Sequence, residues 1–138
     1  MLTVICLAGK AGSGKTTVSK KFCTDNDFTY ISTGDFLRQI AADRGLISND
    51  RYILQQLSEE FINHGWVSFC RNVFSFFGFK YNKNILIDGV RNVECLHALR
   101  NIFHEDKMFL IYLDISDFLS IERQKKREIG RASCRERV

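Results

Sequence analysis

The fold is decided by the stretch Gly9-Lys10-Ala11-Gly12-Ser13-Gly14-Lys15-Thr16, which fits the pattern G-x-x-x-x-G-K-[ST]. An apolar run, Leu2–Leu7, precedes it and predicts a buried strand, and a helix is predicted from Lys15 to Cys23. Glycines at these positions let backbone N–H groups point into one concavity, and the following helix adds its positive end. The stretch therefore predicts a phosphate-binding turn between a strand and a helix.

Outward from this turn, apolar strands alternate with segments of helical periodicity. Further strands are predicted at Phe28–Ile31, Asn84–Asp88 and Met108–Asp114. Helices are predicted at residues 34–44 and 93–103. Between them we expect a helix capped by Ser48, Asn49 or Asp50 and a Phe-rich helix that ends near Phe77. A last helix is predicted to start at Ser116 or Asp117. Strands that are apolar throughout and separated by helices favour an α/β fold, with a parallel sheet covered by helices on both faces.

Composition limits the class of protein. The chain has 138 residues, is 45% hydrophobic and contains no proline, which is typical of one globular domain and excludes disorder. A net charge of +4 is too small to indicate a nucleic-acid partner. The aromatic stretch Trp66–Phe79 is too short to span a membrane and contains Arg71. The cysteines show no Cys-x-x-Cys spacing, which indicates neither zinc nor a redox pair. We expect a cytoplasmic monomer without a membrane partner.

Two further segments carry a family resemblance. The segment Ile31-Ser32-Thr33-Gly34-Asp35-Phe36-Leu37-Arg38 resembles the Ile-Ser-Thr-Gly-Asp-x-Leu-Arg segment of adenylate kinases, and Ile85-Leu86-Ile87-Asp88-Gly89-Val90-Arg91 resembles their strand ending in Asp-Gly-x-(Pro)-Arg. With the glycine-rich turn, the chain resembles the P-loop nucleoside monophosphate kinase family from Leu2 to Arg127. The resemblance implies a three-layer P-loop NTPase fold with sheet order 2-3-1-4-5, and an acceptor-binding helical region over about residues 33–78.

ATP and Mg²⁺ are the expected cofactors. Lys15 can reach the β- and γ-phosphates, and the Thr16 hydroxyl can ligate Mg²⁺. By resemblance, Asp88 matches an acidic residue that holds Mg²⁺ mostly through waters, and Thr16 and Asp88 are the expected metal residues. The residues expected to bind the phosphates of ATP are Gly9, Ala11, Gly12, Ser13, Gly14, Lys15, Thr16 and Thr17.

A nucleotide-like small molecule is the expected acceptor. By resemblance, Thr33 and Arg38 hold its base or sugar region and its phosphate, Arg91 clamps the phosphate, and Asp35 acts on Mg²⁺ through waters. Arg123 and Arg127 resemble the arginine pair that begins the lid of the family and closes on the transferring phosphoryl group. The catalytic set predicted in this way is Lys15, Asp35, Arg91, Arg123 and Arg127.

The identity of the acceptor stays open at this point. The loop from Asp88 to Arg91 is one residue shorter than in adenylate kinases, and no glutamine follows where those enzymes read adenine. The form Asp-Gly-Val-Arg-Asn at residues 88–92, with the upstream segment Asn49–Leu57, also resembles the dephospho-CoA kinase-like and phage deoxynucleotide kinase branch. The hypothesis that we favour is phosphoryl transfer to a nucleoside or deoxynucleoside monophosphate. The alternatives are phosphorylation of a hydroxyl group and an ATP-binding module without transferase activity. A GTPase is disfavoured because Asn82-Lys83-Asn84-Ile85 lacks the expected aspartate.

The end of the chain has a resemblance of its own. Residues 128–138 resemble the translation of a common sequencing adapter, and such segments are excluded from fold reasoning. We therefore expect an incomplete kinase domain over residues 1–127, with sheet order 2-3-1-4 and the fifth strand missing, followed by a non-native tail. A chain of this kind is expected to have weak activity or none.

Overall fold

A computed structural model describes residues 1–9 and 15–113 of the chain. Strands and helices alternate along it in the predicted order. They are β1 (Thr3–Gly9), α1 (Lys15–Asn26), β2 (Thr29–Ser32), α2 (Thr33–Asp43), α3 (Arg51–Ile62), α4 (Trp66–Phe76), β3 (Ile85–Asp88), α5 (Val93–Ile102) and β4 (Lys107–Leu113). The helix predicted from Ser116 or Asp117 lies outside the described residues.

The four strands form one sheet in the order β2-β3-β1-β4, and every neighbouring pair is parallel. Parallel neighbours need a crossover between them, which the intervening helices supply. In the register, Asp88 at the end of β3 lies beside Leu7 of β1 and Ser32 of β2. The predicted fold class and the strand order 2-3-1-4 are confirmed.

Helices cover both faces of the sheet because side chains alternate along each strand. Val4 and Cys6 of β1 pack into the larger core, which they share with α2, α4 and α5. Ile5 and Leu7 point to the opposite face and pack with residues of α1. The described chain therefore has three layers, with α1 alone on one face and the other helices on the second.

Two helices begin at polar caps that fix their first turns. The Ser32 hydroxyl accepts a hydrogen bond from the backbone N–H of Asp35 at 3.2 Å and caps α2. The Asp50 carboxylate accepts from the backbone N–H groups of Tyr52 and Ile53 at 2.8 and 3.2 Å and caps α3. Asp50 is one of the three caps that the sequence predicted, and these bonds satisfy N–H groups that the helix itself leaves unpaired.

The Phe-rich segment forms α4, an 11-residue helix whose apolar face lies in the larger core. Phe74 is 1% exposed, and its ring contacts those of Phe79, Tyr81 and Phe103. Core packing, which the sequence predicted for this helix, is confirmed. Across the described part of the chain, no helix combines the length and the apolar character needed to cross a membrane.

Four cysteines, Cys6, Cys23, Cys70 and Cys95, are free and buried in the described structure. Burial raises the pKa of the Cys6 thiol to about 12 and that of Cys23 to about 11. Both thiols are protonated at neutral pH, which suits small core residues better than nucleophiles.

The aromatic core predicts the first stability effect. We expect Phe74→Ala to lower the free energy of unfolding by about 3 to 5 kcal/mol, because it removes a buried ring and leaves a cavity. The matched control is Phe76→Ala on the same helix, where the ring is 43% exposed and the loss should be less than half as large. Urea denaturation followed by circular dichroism measures both. Equal losses would contradict this view of the core.

Candidate functional site

The carboxyl ends of β1, β2 and β3 meet at one edge of the sheet, where ligands bind in open parallel sheets. Gly9, Ser32 and Asp88 are the last residues of these strands. The glycine-rich turn follows Gly9, the segment Thr33–Arg38 follows Ser32, and the loop to Arg91 follows Asp88. All three sequence motifs therefore converge on the same edge.

Asp88 is the buried centre of this edge, with 2% of its surface exposed. Its Oδ2 atom accepts hydrogen bonds from the Tyr30 hydroxyl at 2.7 Å and from Thr16 Oγ1 at 3.3 Å. The predicted pair of metal ligands, Thr16 and Asp88, is thus in direct contact. A hydroxyl and a carboxylate present hard oxygen atoms at a spacing that one small cation can bridge, and the donor set fits Mg²⁺.

Tyr30 is the site residue that the sequence analysis missed. It lies on β2 and packs on the α1 face of the sheet, where Lys20 Nζ is 5.7 Å from the centre of its ring. Burial and the hydrogen bond to Asp88 raise the pKa of Tyr30 above its ordinary value. Its hydroxyl is therefore protonated at neutral pH and acts as a hydrogen-bond donor. The alternation along β2 indicates which face Tyr30 occupies, but no local signal shows its partner.

Gly89 brings the loop after β3 against the start of α2. Its φ angle is +95°, its N–H donates to the Leu7 carbonyl at 3.2 Å, and its carbonyl accepts from Thr33 Oγ1 at 3.4 Å. A Cβ atom at this position would lie 2.5 Å from Thr33 Oγ1. Only glycine allows both this backbone conformation and this close approach.

Asp35 and Arg38, which were predicted separately, form an ion pair across one turn of α2, with Arg38 Nη2 2.5 Å from Asp35 Oδ1. The arginine folds back over Gly34, where an added Cβ would lie 3.2 Å from Nη2. Both side chains are 44% exposed. An exposed pair of this kind contributes about 0 to 1 kcal/mol, so an incoming anion can compete with Asp35 for the guanidinium group.

Arg91 is exposed and lies beside a cavity of about 410 Å³. The cavity opens between the ends of β1 and β4 and the start of α5, and Gly9, Leu96 and Tyr112 are among its lining residues. Arg91 and Gly9, the first residue of the glycine-rich stretch, thus border one space at the carboxyl edge.

The remaining predicted residues are placed only in part. Lys15 begins α1, and Thr17 is exposed in its first turn. Four of the predicted phosphate-binding residues and both predicted lid arginines lie outside the described residues, namely Ala11, Gly12, Ser13, Gly14, Arg123 and Arg127. Their roles stay predictions.

The close approach at Gly89 predicts a second stability effect. Gly89→Ala should lower the free energy of unfolding by about 2 kcal/mol more than Gly65→Ala. Gly65 has a similar φ of +97°, but nothing lies within 4 Å of an added Cβ, so its substitution adds backbone strain alone. Adding Thr33→Ala to Gly89→Ala should recover part of the loss. Urea denaturation of the three variants and the unchanged chain gives these values. Equal costs at the two glycines would show that the contact with Thr33 is unimportant.

The chain is similar in sequence to known proteins. The family described as "AAA domain" matches residues 8–138. The chain is 31% identical over 135 residues to UMP-CMP kinase 1 of Oryza sativa subsp. japonica, covering 94% of this chain and 53% of that protein. It is 32% identical over 139 residues to an adenylate kinase of Rickettsia bellii, covering 96% and 59%. A UPF0200 protein of Pyrobaculum aerophilum is 29% identical over 123 residues, covering 89% and 65%.

The chain thus spans between half and two thirds of the length of these curated relatives. The family match extends over nearly the whole chain, from the end of β1 onward. The three motifs quoted from the sequence meet at one sheet edge, and the relatives whose names state an activity are nucleotide kinases. The chain belongs to the AAA domain family of P-loop proteins, as a member of the nucleoside monophosphate kinase family.

Proposed function

We propose that this protein transfers the γ-phosphoryl group of Mg·ATP to a nucleoside or deoxynucleoside monophosphate. The observation that carries the proposal is the contact between Thr16 and Asp88 at the sheet edge, 3.3 Å between Oγ1 and Oδ2, beside the segment that begins α2. Asp88 pairs with Ser32, the residue before the acceptor segment, so the proposed metal site and this segment lie side by side. The relatives named UMP-CMP kinase 1 and adenylate kinase support a monophosphate as the acceptor.

The donor side is built from the turn and α1. Backbone N–H groups of the turn and the amino end of α1 bind phosphate oxygens, and Lys15 reaches the β- and γ-phosphates. Thr16 and Asp88 hold Mg²⁺, which neutralises charge that develops on the phosphate oxygens during transfer. The hydrogen bonds that Asp88 Oδ2 accepts keep this carboxylate in place.

The acceptor side is built from residues 33–78, which helices α2 to α4 occupy, and from Arg91. Arg38 leaves its exposed pair with Asp35 and binds the acceptor phosphate, and Thr33 contacts the sugar or base. Arg91 binds the same phosphate from the loop after β3. Phosphoryl transfer depends mainly on this alignment and on charge neutralisation, to which we expect Arg123 and Arg127 to contribute by their positive charge.

The acceptor arginine gives the direct test. A version of the chain that continues beyond Arg127 to the length of the matched kinases is incubated with Mg·ATP and a panel of nucleoside and deoxynucleoside monophosphates, and the diphosphate products are quantified. Arg91→Ala should lower kcat/KM for the acceptor by about 100-fold, because one charged donor to the phosphate is lost, while ATP binding stays unchanged. The control is Lys80→Ala, which removes an exposed cation between α4 and β3, outside residues 33–78, and it should keep full activity. ATP binding without product from any monophosphate would contradict the proposal.

The role of Asp35 separates a phosphate acceptor from a hydroxyl acceptor. An ionised phosphate needs no general base, whereas a hydroxyl group does. With a monophosphate acceptor, Asp35→Asn should lower kcat by less than about 10-fold. With a hydroxyl acceptor such as dephospho-CoA, loss of the base should lower it by about 100-fold or more. If product forms from dephospho-CoA and from none of the monophosphates, and Asp35→Asn abolishes it, the acceptor is a hydroxyl group and not a monophosphate. Asp43→Asn, an exposed substitution at the end of the same helix, serves as the control.

A further inference from the structure

Tyr30 has no role in the sequence motifs, yet it makes the shorter of the two hydrogen bonds given above for Asp88 Oδ2, at 2.7 Å. The two residues are separated by 58 positions in the chain and come from adjacent strands. The contact is part-buried and polar at the site proposed for Mg²⁺. The Tyr30 hydroxyl therefore acts on a side chain of the proposed Mg²⁺ site.

The geometry of the sheet explains why Tyr30 reaches this carboxylate. Tyr30 pairs with Leu86 in the parallel register, and both side chains belong to the smaller core on the α1 face. Because side chains alternate along a strand, Asp88 points to the same face as Leu86. Thr16 approaches from α1 on that face as well, so β2 and α1 both direct a hydroxyl group at Oδ2.

We propose that Tyr30 is a positioning residue, which holds the Asp88 carboxylate in the orientation that receives Mg²⁺ beside Thr16. This inference rests on the Mg·ATP site of the proposed function. A ligating carboxylate depends on the groups that hydrogen-bond to it, and removing such a partner typically weakens metal binding. Tyr30 contributes through Asp88 and not by contact with the nucleotide.

The test measures metal dependence, not transfer. ATP binding to the 138-residue chain is titrated by fluorescence with a labelled ATP analogue, once in EDTA and once at increasing Mg²⁺. In Tyr30→Phe the Mg²⁺ concentration for half-maximal tightening should rise about 10-fold, while affinity in EDTA stays within about 2-fold. Phenylalanine keeps the ring in the core, and thermal unfolding checks that each variant is folded.

A control variant and a double-mutant cycle distinguish a positioning role of Tyr30 from a general effect on stability. Tyr81→Phe removes a hydroxyl in the connection between α4 and β3, outside the site, and should leave the Mg²⁺ dependence unchanged. In an Asp88→Asn background, Tyr30→Phe should add no further shift, because the carboxylate on which it acts is gone. A Tyr30→Phe chain with unaltered Mg²⁺ dependence would overturn the inference, as would an equal shift in the Asp88→Asn background. Intact Mg²⁺ dependence without phosphoryl transfer would contradict only the proposed function.

Discussion

A carboxylate that is almost completely buried must be hydrogen-bonded, and Asp88 imposes this requirement on the centre of the molecule. The Tyr30 hydroxyl from β2 and the Thr16 hydroxyl from α1 meet it. Both contacts need the parallel register of β2, β3 and β1, since a shift of one residue would turn Asp88 to the other face. The site therefore forms only when the strands pair in this order and register.

The segments proposed to bind the donor and the acceptor lead to opposite faces of the sheet. The glycine-rich turn leads from β1 to α1 on one face, and the Thr33–Arg38 segment leads from β2 into α2 on the other. The two paths come together only at the carboxyl edge. A donor bound on one side and an acceptor bound on the other would thus meet where Asp88 is buried, which is the alignment that phosphoryl transfer requires.

The start of α2 is held in place by neighbours from two sides. Ser32 caps the helix, and Thr33 donates to the carbonyl of Gly89 in the loop that leads to Arg91. The start of α2 and the loop after β3 are therefore in direct contact. The exposed pair of Asp35 and Arg38 lies one turn further on, where it can exchange partners at small cost.

The sequence alone determined the element types, the strand order by family resemblance and the positions of the three motifs. These depend on short-range signals: apolar runs of strand length, helical periodicity, caps such as Asp50, and the glycine-rich turn. Strand and helix ends differ by one to three residues where the last turn is set by packing, as in α1, which continues to Asn26.

Only the tertiary structure decided which side chains meet at the site. The contact of Tyr30 with Asp88 spans 58 residues, and that of Thr33 with Gly89 spans 56. Neither has a local signal, because each depends on the register of strands that are distant in the chain. The pairing of Asp35 with Arg38 is local, but many rotamers of a long arginine are compatible with the same helix, and the fold over Gly34 selects one. The sequence motifs thus identify candidate site residues, whereas the register of the sheet determines which of their side chains are in contact.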